Sequence, residues 1–197
     1  MSATSRILFI AAFSGVLTIY GLAAEQSGDP SNASHTNSAS AAHSSAEAAM
    51  ADTKYMKEAA EGGIAEVALG QLAAEKASSS DVKKFGQRMV DDHSKANEEL
   101  KQLASQKNVA LPNDLSAKDK ATKAALEKLS GEQFDQAYMK DMVKDHKKDV
   151  GDFRRESKSA QDPEVKKFAA QTLPTLEDHL KQAESVAQLM TSPASAR

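Results

Sequence analysis

Met89-Val90-Asp91-Asp92-His93 and, 53 residues later, Met142-Val143-Lys144-Asp145-His146 decide how this chain folds. Around the first, Val82, Phe85, Met89, His93, Ala96, Leu100 and Leu103 recur at intervals of three and four. Around the second, Phe134, Tyr138, Met142, His146, Asp149 or Val150, and Phe153 do the same. That spacing lays each set along one face of an α-helix. Both histidines therefore fall on a stripe that should face a core, whereas the aspartate before each lies about 100° round the helix, toward the flank. A third Asp-His pair, Asp178-His179, sits in another such stripe of Val165, Phe168, Ala169, Leu176, His179, Ala183, Val186 and Met190. Five pairs keep the 53-residue offset, from Phe85/Tyr138 to His93/His146, which suggests duplication of one helix per half.

Turn chemistry divides the rest. A first long helix is expected from about Thr53 to Ala77, with Ile64, Val67, Ala68 and Leu72 as its apolar stripe. Beside that stripe runs a line of small residues, Ala59, Gly63, Gly70 and Ala73, with Glu66 as its single charge. Glycine inside a helix costs about 1 kcal/mol relative to alanine, so Gly62, Gly63 and Gly70 imply a neighbouring helix at close approach. Ser78-Ser79-Ser80-Asp81 offers the N-cap of a second long helix that runs to about Lys107. After a loop from Asn108 to Asn113, Ser116-x-x-Asp119 opens a short helix and Ser130-x-x-Gln133 a third long one, both in the manner of a capping box. Asp162-Pro163-Glu164 starts the fourth, in which Pro174 should produce a kink.

The four polar residues on these faces fall at similar depths. Glu66 is 14 residues before Ser80 and His93 is 13 after it; His146 is 16 before Asp162 and His179 is 17 after it. At ~1.5 Å per residue each lies roughly 20–26 Å from its shared loop. The expectation is an all-α, up-down-up-down four-helix bundle, with a short extra helix between the second and third long helices. Glu66, His93, His146 and His179 would then form one layer near its middle.

Bulk properties narrow the function. Lys and Arg number 25 against 28 Asp and Glu, a net charge of −3, which argues against a nucleic-acid partner. The absence of cysteine excludes thiolate catalysis, disulfides and Cys-type zinc sites. Residues 1–24 read as an export signal: Arg6, an apolar run from Ile7 to Leu22, then Ala23 and Ala24. The run is shorter than the roughly 20 residues of a membrane span, so cleavage is expected, with an uncleaved membrane anchor as the alternative. A periplasmic or cell-envelope location follows. Residues 25–50 are Ser, Ala and Asn with His35 and His43, too polar to pack, and read as a disordered tether. The folded domain should span residues 51–191, and residues 192–197 should be a frayed tail.

Gly62-Gly63-Ile64-Ala65-Glu66-Val67, Val90-Asp91-Asp92-His93-Ser94-Lys95-Ala96-Asn97, Gly131-Glu132-Gln133-Phe134-Asp135 and Thr172-Leu173-Pro174 followed by His179 occur in this order. In these motifs the chain, from about Thr53 to Met190, resembles the bacterial family catalogued as domain of unknown function 4142. The resemblance implies an exported, ferritin-like four-helix bundle of the outer membrane or envelope, without an established activity. It carries over the same positions, Glu66, His93, His146 and His179.

Three imidazoles and a carboxylate are a donor set for zinc, iron, copper or manganese, with Asp149, one turn beyond His146, as an additional or supporting group. The ferritin-like di-iron signature, Glu-x-x-His, is missing, because Val90, Val143 and Leu176 stand three residues before the histidines. No phosphate loop or catalytic triad order is visible, so binding is expected ahead of catalysis. The competing reading is a structural or interaction module of the envelope whose buried layer only sets helix register. A bundle that responds to pH through its histidines is a third.

Overall fold

A computed structural model of the chain describes residues 35–191. The expected export signal, the first part of the expected tether and the tail at residues 192–197 lie outside the described residues. Five helices and no strand make up the described part: α1 (His35–Lys76), α2 (Ser80–Gln106), α3 (Ala117–Glu127), α4 (Gly131–Ser159) and α5 (Pro163–Thr191).

Most helix starts follow their caps. Ser79 accepts from the Asp81 N–H ahead of α2, and Ser116 accepts from the Asp119 N–H ahead of α3. Asp162 takes the N–H groups of Glu164 and Val165 at 2.9 and 3.2 Å. Ser130 makes no side-chain cap; the chain enters α4 through Gly131 in the left-handed region (φ +57°), so the expected second capping box does not form. α1 begins at His35, well before Thr53. Residues 35–50 are thus helix where a disordered tether was expected. Alanine is the strongest helix former, so a stretch with little to bury still extends α1, with Ala46, Glu47, Ala49 and Met50 exposed.

α1 lies along α2 and α4 along α5, while α2 also touches α5 and α1 touches α4. α3, in the long connection between the pairs, rests on α1 and α4. The α1–α2 contact explains Gly63, Gly70 and Gly86, whereas Gly62 faces Asp149 of α4 at an ordinary 3.8 Å, so no close approach requires it. A Cβ on Gly70 would stand 2.7 Å from the Gly86 carbonyl oxygen, and a Cβ on Gly86 would stand 2.7 Å from that of Gly70. Because the two backbones meet there, the small-residue line of α1 is its inner face. Gly63, Glu66, Leu69, Gly70 and Ala73 are buried, while Ile64, Val67 and Ala68, expected to lead the core stripe, are only half-buried.

Two apolar clusters fill the interior. One gathers Leu69, Phe85, Met89, Phe134, Tyr138 and Met142 towards the α1–α2 loop. The other gathers Tyr55, Met56, Leu100, Phe153, Val165 and Phe168 towards the α4–α5 loop. Each loop is fastened by a buried aspartate from the opposite pair of helices. Asp135 of α4 accepts from the N–H groups of Ser78 and Ser79 and from the Ser78 hydroxyl. Asp52 of α1 accepts from the N–H groups of Gln161 and Asp162.

The two aspartates stand 83 residues apart, as do Ser78 and Gln161. At the same offset, Asp52-x-x-Tyr55-Met56-Lys57 matches Asp135-x-x-Tyr138-Met139-Lys140. Asp81-Val82-Lys83-Lys84-Phe85-Gly86 likewise matches Glu164-Val165-Lys166-Lys167-Phe168-Ala169. The duplicated unit is therefore the helical pair, α1–α2 matching α4–α5. The 53-residue likeness relates α2 to α4, which hold different places; it reflects two helices meeting the same interior layer.

Two glycines should respond in opposite directions. Gly86→Ala drives a methyl into the backbone of α1 and should lower the unfolding free energy by about 1–3 kcal/mol. Gly151, around which nothing lies within 4 Å, should gain about 0.5–1 kcal/mol on substitution by alanine. Urea denaturation of both variants measures the contrast.

Candidate metal centre

Each long helix places one polar side chain between the two apolar clusters: Glu66 from α1, His93 from α2, His146 from α4 and His179 from α5. They are 4%, 6%, 0% and 0% exposed, respectively. The three histidines each offer a ring nitrogen within 4.8 Å of the others. The structure brings together all four residues that the sequence marks.

On each ring one nitrogen is engaged. His93 Nδ1 is 2.8 Å from Glu66 Oε2, His146 Nδ1 is 2.9 Å from the Met142 carbonyl oxygen, and His179 Nε2 is 2.8 Å from Asp92 Oδ2. A carbonyl or carboxylate can only accept, so each ring donates at that nitrogen. What is left is His93 Nε2, His146 Nε2, His179 Nδ1 and Glu66 Oε1, all buried and without a hydrogen-bond partner. Glu66 Oε1 lies 3.3 Å from His146 Nε2. A buried polar atom left without a partner costs about 1–3 kcal/mol, and here four of them share one layer.

The electrostatics follow the pairing. Burial alone would raise the Glu66 carboxyl, but His93 and His146 outweigh it and hold it at about 2. Burial would lower His93, and the Glu66 carboxylate overcomes this and raises it. His179 is pushed down to about 4 by burial, which its hydrogen bond to Asp92 offsets only in part. Burial works to raise Asp92, but His179 and Arg88 keep it low. Arg88 in turn donates to Gln182 of α5 at 2.8 Å, which ties α2 to α5 beside the layer.

The three Asp-His pairs turn out to be unlike one another. Asp92 reaches across to the histidine of another helix, Asp145 is half-buried, and Asp178 is exposed. Arg88 and Asp92 form an i, i+4 pair within α2, which holds the carboxylate that meets His179. Asp149 is outside the group of three histidines close enough to share an ion; it lines the cleft between α1 and α4 with Gly62 and Glu66 and, beside His93, a small interior cavity of about 20 Å³. There burial and the Glu66 charge push its carboxyl up to about 7.

That shift fixes a pH dependence. A raised carboxyl binds its proton more tightly in the folded chain, so Asp149 weakens the fold as pH rises from its ordinary value of 3.8 to about 7. Asp149→Asn should therefore stabilise the metal-free protein above pH 7, by at most about 4 kcal/mol, and this gain should shrink to nothing near pH 4. Thermal melts of both proteins across that range test the sign.

No curated protein matches the chain. A crystal structure of a DUF305 fragment from Deinococcus radiodurans is similar, with a TM-score of 0.62 at 14% identity, covering 70% of this chain and 95% of that one. At such low identity the likeness concerns the fold alone. The family described as domain of unknown function (DUF4142) matches residues 37–186, a span that contains both helical pairs and all four residues of the layer. The chain belongs to the DUF4142 family.

Proposed function

We propose that this protein binds a divalent transition-metal ion, zinc foremost, through His93, His146, His179 and Glu66. The helices that carry them would form an up-down-up-down, ferritin-like four-helix bundle exported to the cell envelope. The observation that carries this reading is the set of four buried donor atoms without partners, one from each long helix. Glu66 and His93 are paired with one another at 2.8 Å, yet each ring, oriented by a hydrogen bond at one nitrogen, makes none at the other, as in metal-ligating histidines.

Three imidazoles and one carboxylate suit the four-coordinate preference of zinc. Two ligands at ~2.1 Å from one ion in a tetrahedral site are about 3.4 Å apart, so histidine nitrogens spread over as much as 4.8 Å would close by about 1.4 Å at the widest pair. Glu66 would supply both a negative charge and, through Oε2, the orientation of His93. Iron, copper and manganese are tested beside zinc, because imidazole and carboxylate donors accept them too.

Elemental analysis of the purified protein, with melting before and after chelation, tests the proposal. About one ion per chain is expected, and free zinc at a hundred times its Kd should add about 2.7 kcal/mol of stability. His146→Ala should abolish both effects. Uptake should tighten as pH rises above 6.5, because the metal must displace the proton that Glu66 helps His93 to hold. If none of the four metals is retained and none shifts the melt, the reading fails.

A further inference from the structure

Two openings reach the layer from opposite sides. Between α2 and α5 a cavity of about 300 Å³ touches His93 and His179. Between α1 and α4 a cleft of about 210 Å³ has Glu66 in its wall. Their charges differ. The first is lined by Asp92 and Glu99 against Lys95, and Asp92 already holds His179 and Arg88. The second brings Glu58, Glu61, Asp119, Asp145 and Asp149 around Glu66 and is lined by Lys118 and Lys148, while Lys54 reaches Glu58 at 3.6 Å and Lys144 lies 4.0 Å from Asp145. Lys148 is itself 2.8 Å from Asp152.

We propose that the α1–α4 cleft is the route by which a cation reaches the buried layer, with Glu61, Asp119 and Asp145 as its steering carboxylates. This rests on the metal-binding reading above. Glu66 is only 4% exposed, its Oε2 holds His93, and its Oε1, 3.3 Å from His146 Nε2, makes no hydrogen bond, so the deepest group in the cleft joins it to the histidines. Carboxylates lining a cleft with low-dielectric walls focus the field and speed arrival of the opposite charge by 10- to 1,000-fold. Among the described residues the three histidines are the group gathered closely enough to hold an ion. The cleft carboxylates therefore guide a cation without retaining it.

The duplication supports the same side. Asp149 stands 83 residues after Glu66, so the α1–α4 seam receives an acid from each half at the same level. The corresponding positions in the α2–α5 seam are Leu176 for His93 and Ala96 for His179, and neither carries charge. α3 lies outside the duplicated pairs, rests on α1 and α4, and adds Lys118 and Asp119 to the cleft alone.

Stopped-flow loading of zinc ion into the full-length metal-free protein, followed with a competing chromophoric chelator, tests the route. The Glu61→Gln/Asp119→Asn/Asp145→Asn variant should load at least about tenfold more slowly at low salt, and the difference should disappear at high salt. Lys118→Glu should load faster, and Lys95→Gln/Glu99→Gln, at the other opening, should match the wild type. Circular dichroism verifies the fold of each variant, and Lys118→Glu keeps the proposal open to test should the triple variant misfold. An unchanged rate in the first two variants, or slowed loading in the α2–α5 variant, would overturn the route alone. A wild-type protein that takes up no zinc overturns both the route and the metal-binding reading.

Discussion

The rest of the structure depends on the burial of one carboxylate and three imidazoles in a single layer between two apolar clusters. Isolated charge in such a place is unfavourable by many kcal/mol unless it is paired. The protein pairs it asymmetrically. Glu66 is ionised against His93 and His146, whereas His179 is kept neutral by burial and oriented by Asp92. The pairing accounts for one face of each ring and leaves the other open. Seven buried side-chain atoms lack partners among the described residues, and four of them belong to these four residues. Two others are the hydroxyls of Tyr55 and Tyr138, which occupy matching positions in the duplicated helices.

Such a layer requires helices held in fixed register, and the duplicated architecture supplies that at both ends. Asp52 and Asp135 each clamp the loop of the opposite helical pair through backbone N–H groups, so neither pair can slide along the other without stranding a buried carboxylate. Gly70 and Gly86 bring α1 and α2 into backbone contact, which sets the reach of Glu66 toward His93. Side chains at the centre therefore need little freedom of their own.

Much of this was legible in the sequence. The core stripes of α2, α4 and α5, the common depth of four polar residues and the caps before α2, α3 and α5 follow from helical spacing and turn chemistry. The small-residue line of α1 already implied a neighbouring helix; Ile64 and Val67 form the apolar stripe beside it and are only half-buried, because a helix in backbone contact buries its small side chains. The length of α1 was missed because disorder and exposed helix share an alanine-rich, polar composition. The true repeat was present as Asp-x-x-Tyr-Met-Lys and Val-Lys-Lys-Phe, but the more conspicuous Asp-His likeness at another offset concealed it. Support of His179 by Asp92 needed the packing of α2 against α5, a tertiary fact that the periodicity of a single helix does not contain.

Duplication would have produced a symmetric interior, and the layer departs from that symmetry. Glu66 matches Asp149, but Gly63 matches His146, His93 matches Leu176 and Ala96 matches His179. Three imidazoles have therefore been assembled at positions that do not correspond between the halves. Helix register alone would be served by a symmetric polar pair, and stability by an apolar layer, since a well-packed hydrophobic substitute is often as stable as buried ions or better. Neither requirement explains three unrelated positions converging on one point. Asp149 adds to the argument, because burial beside Glu66 makes its charge unfavourable to the empty fold. Under the proposed metal-binding reading, a cation within the layer would attract that charge, and a group that weakens the fold would be retained for that reason.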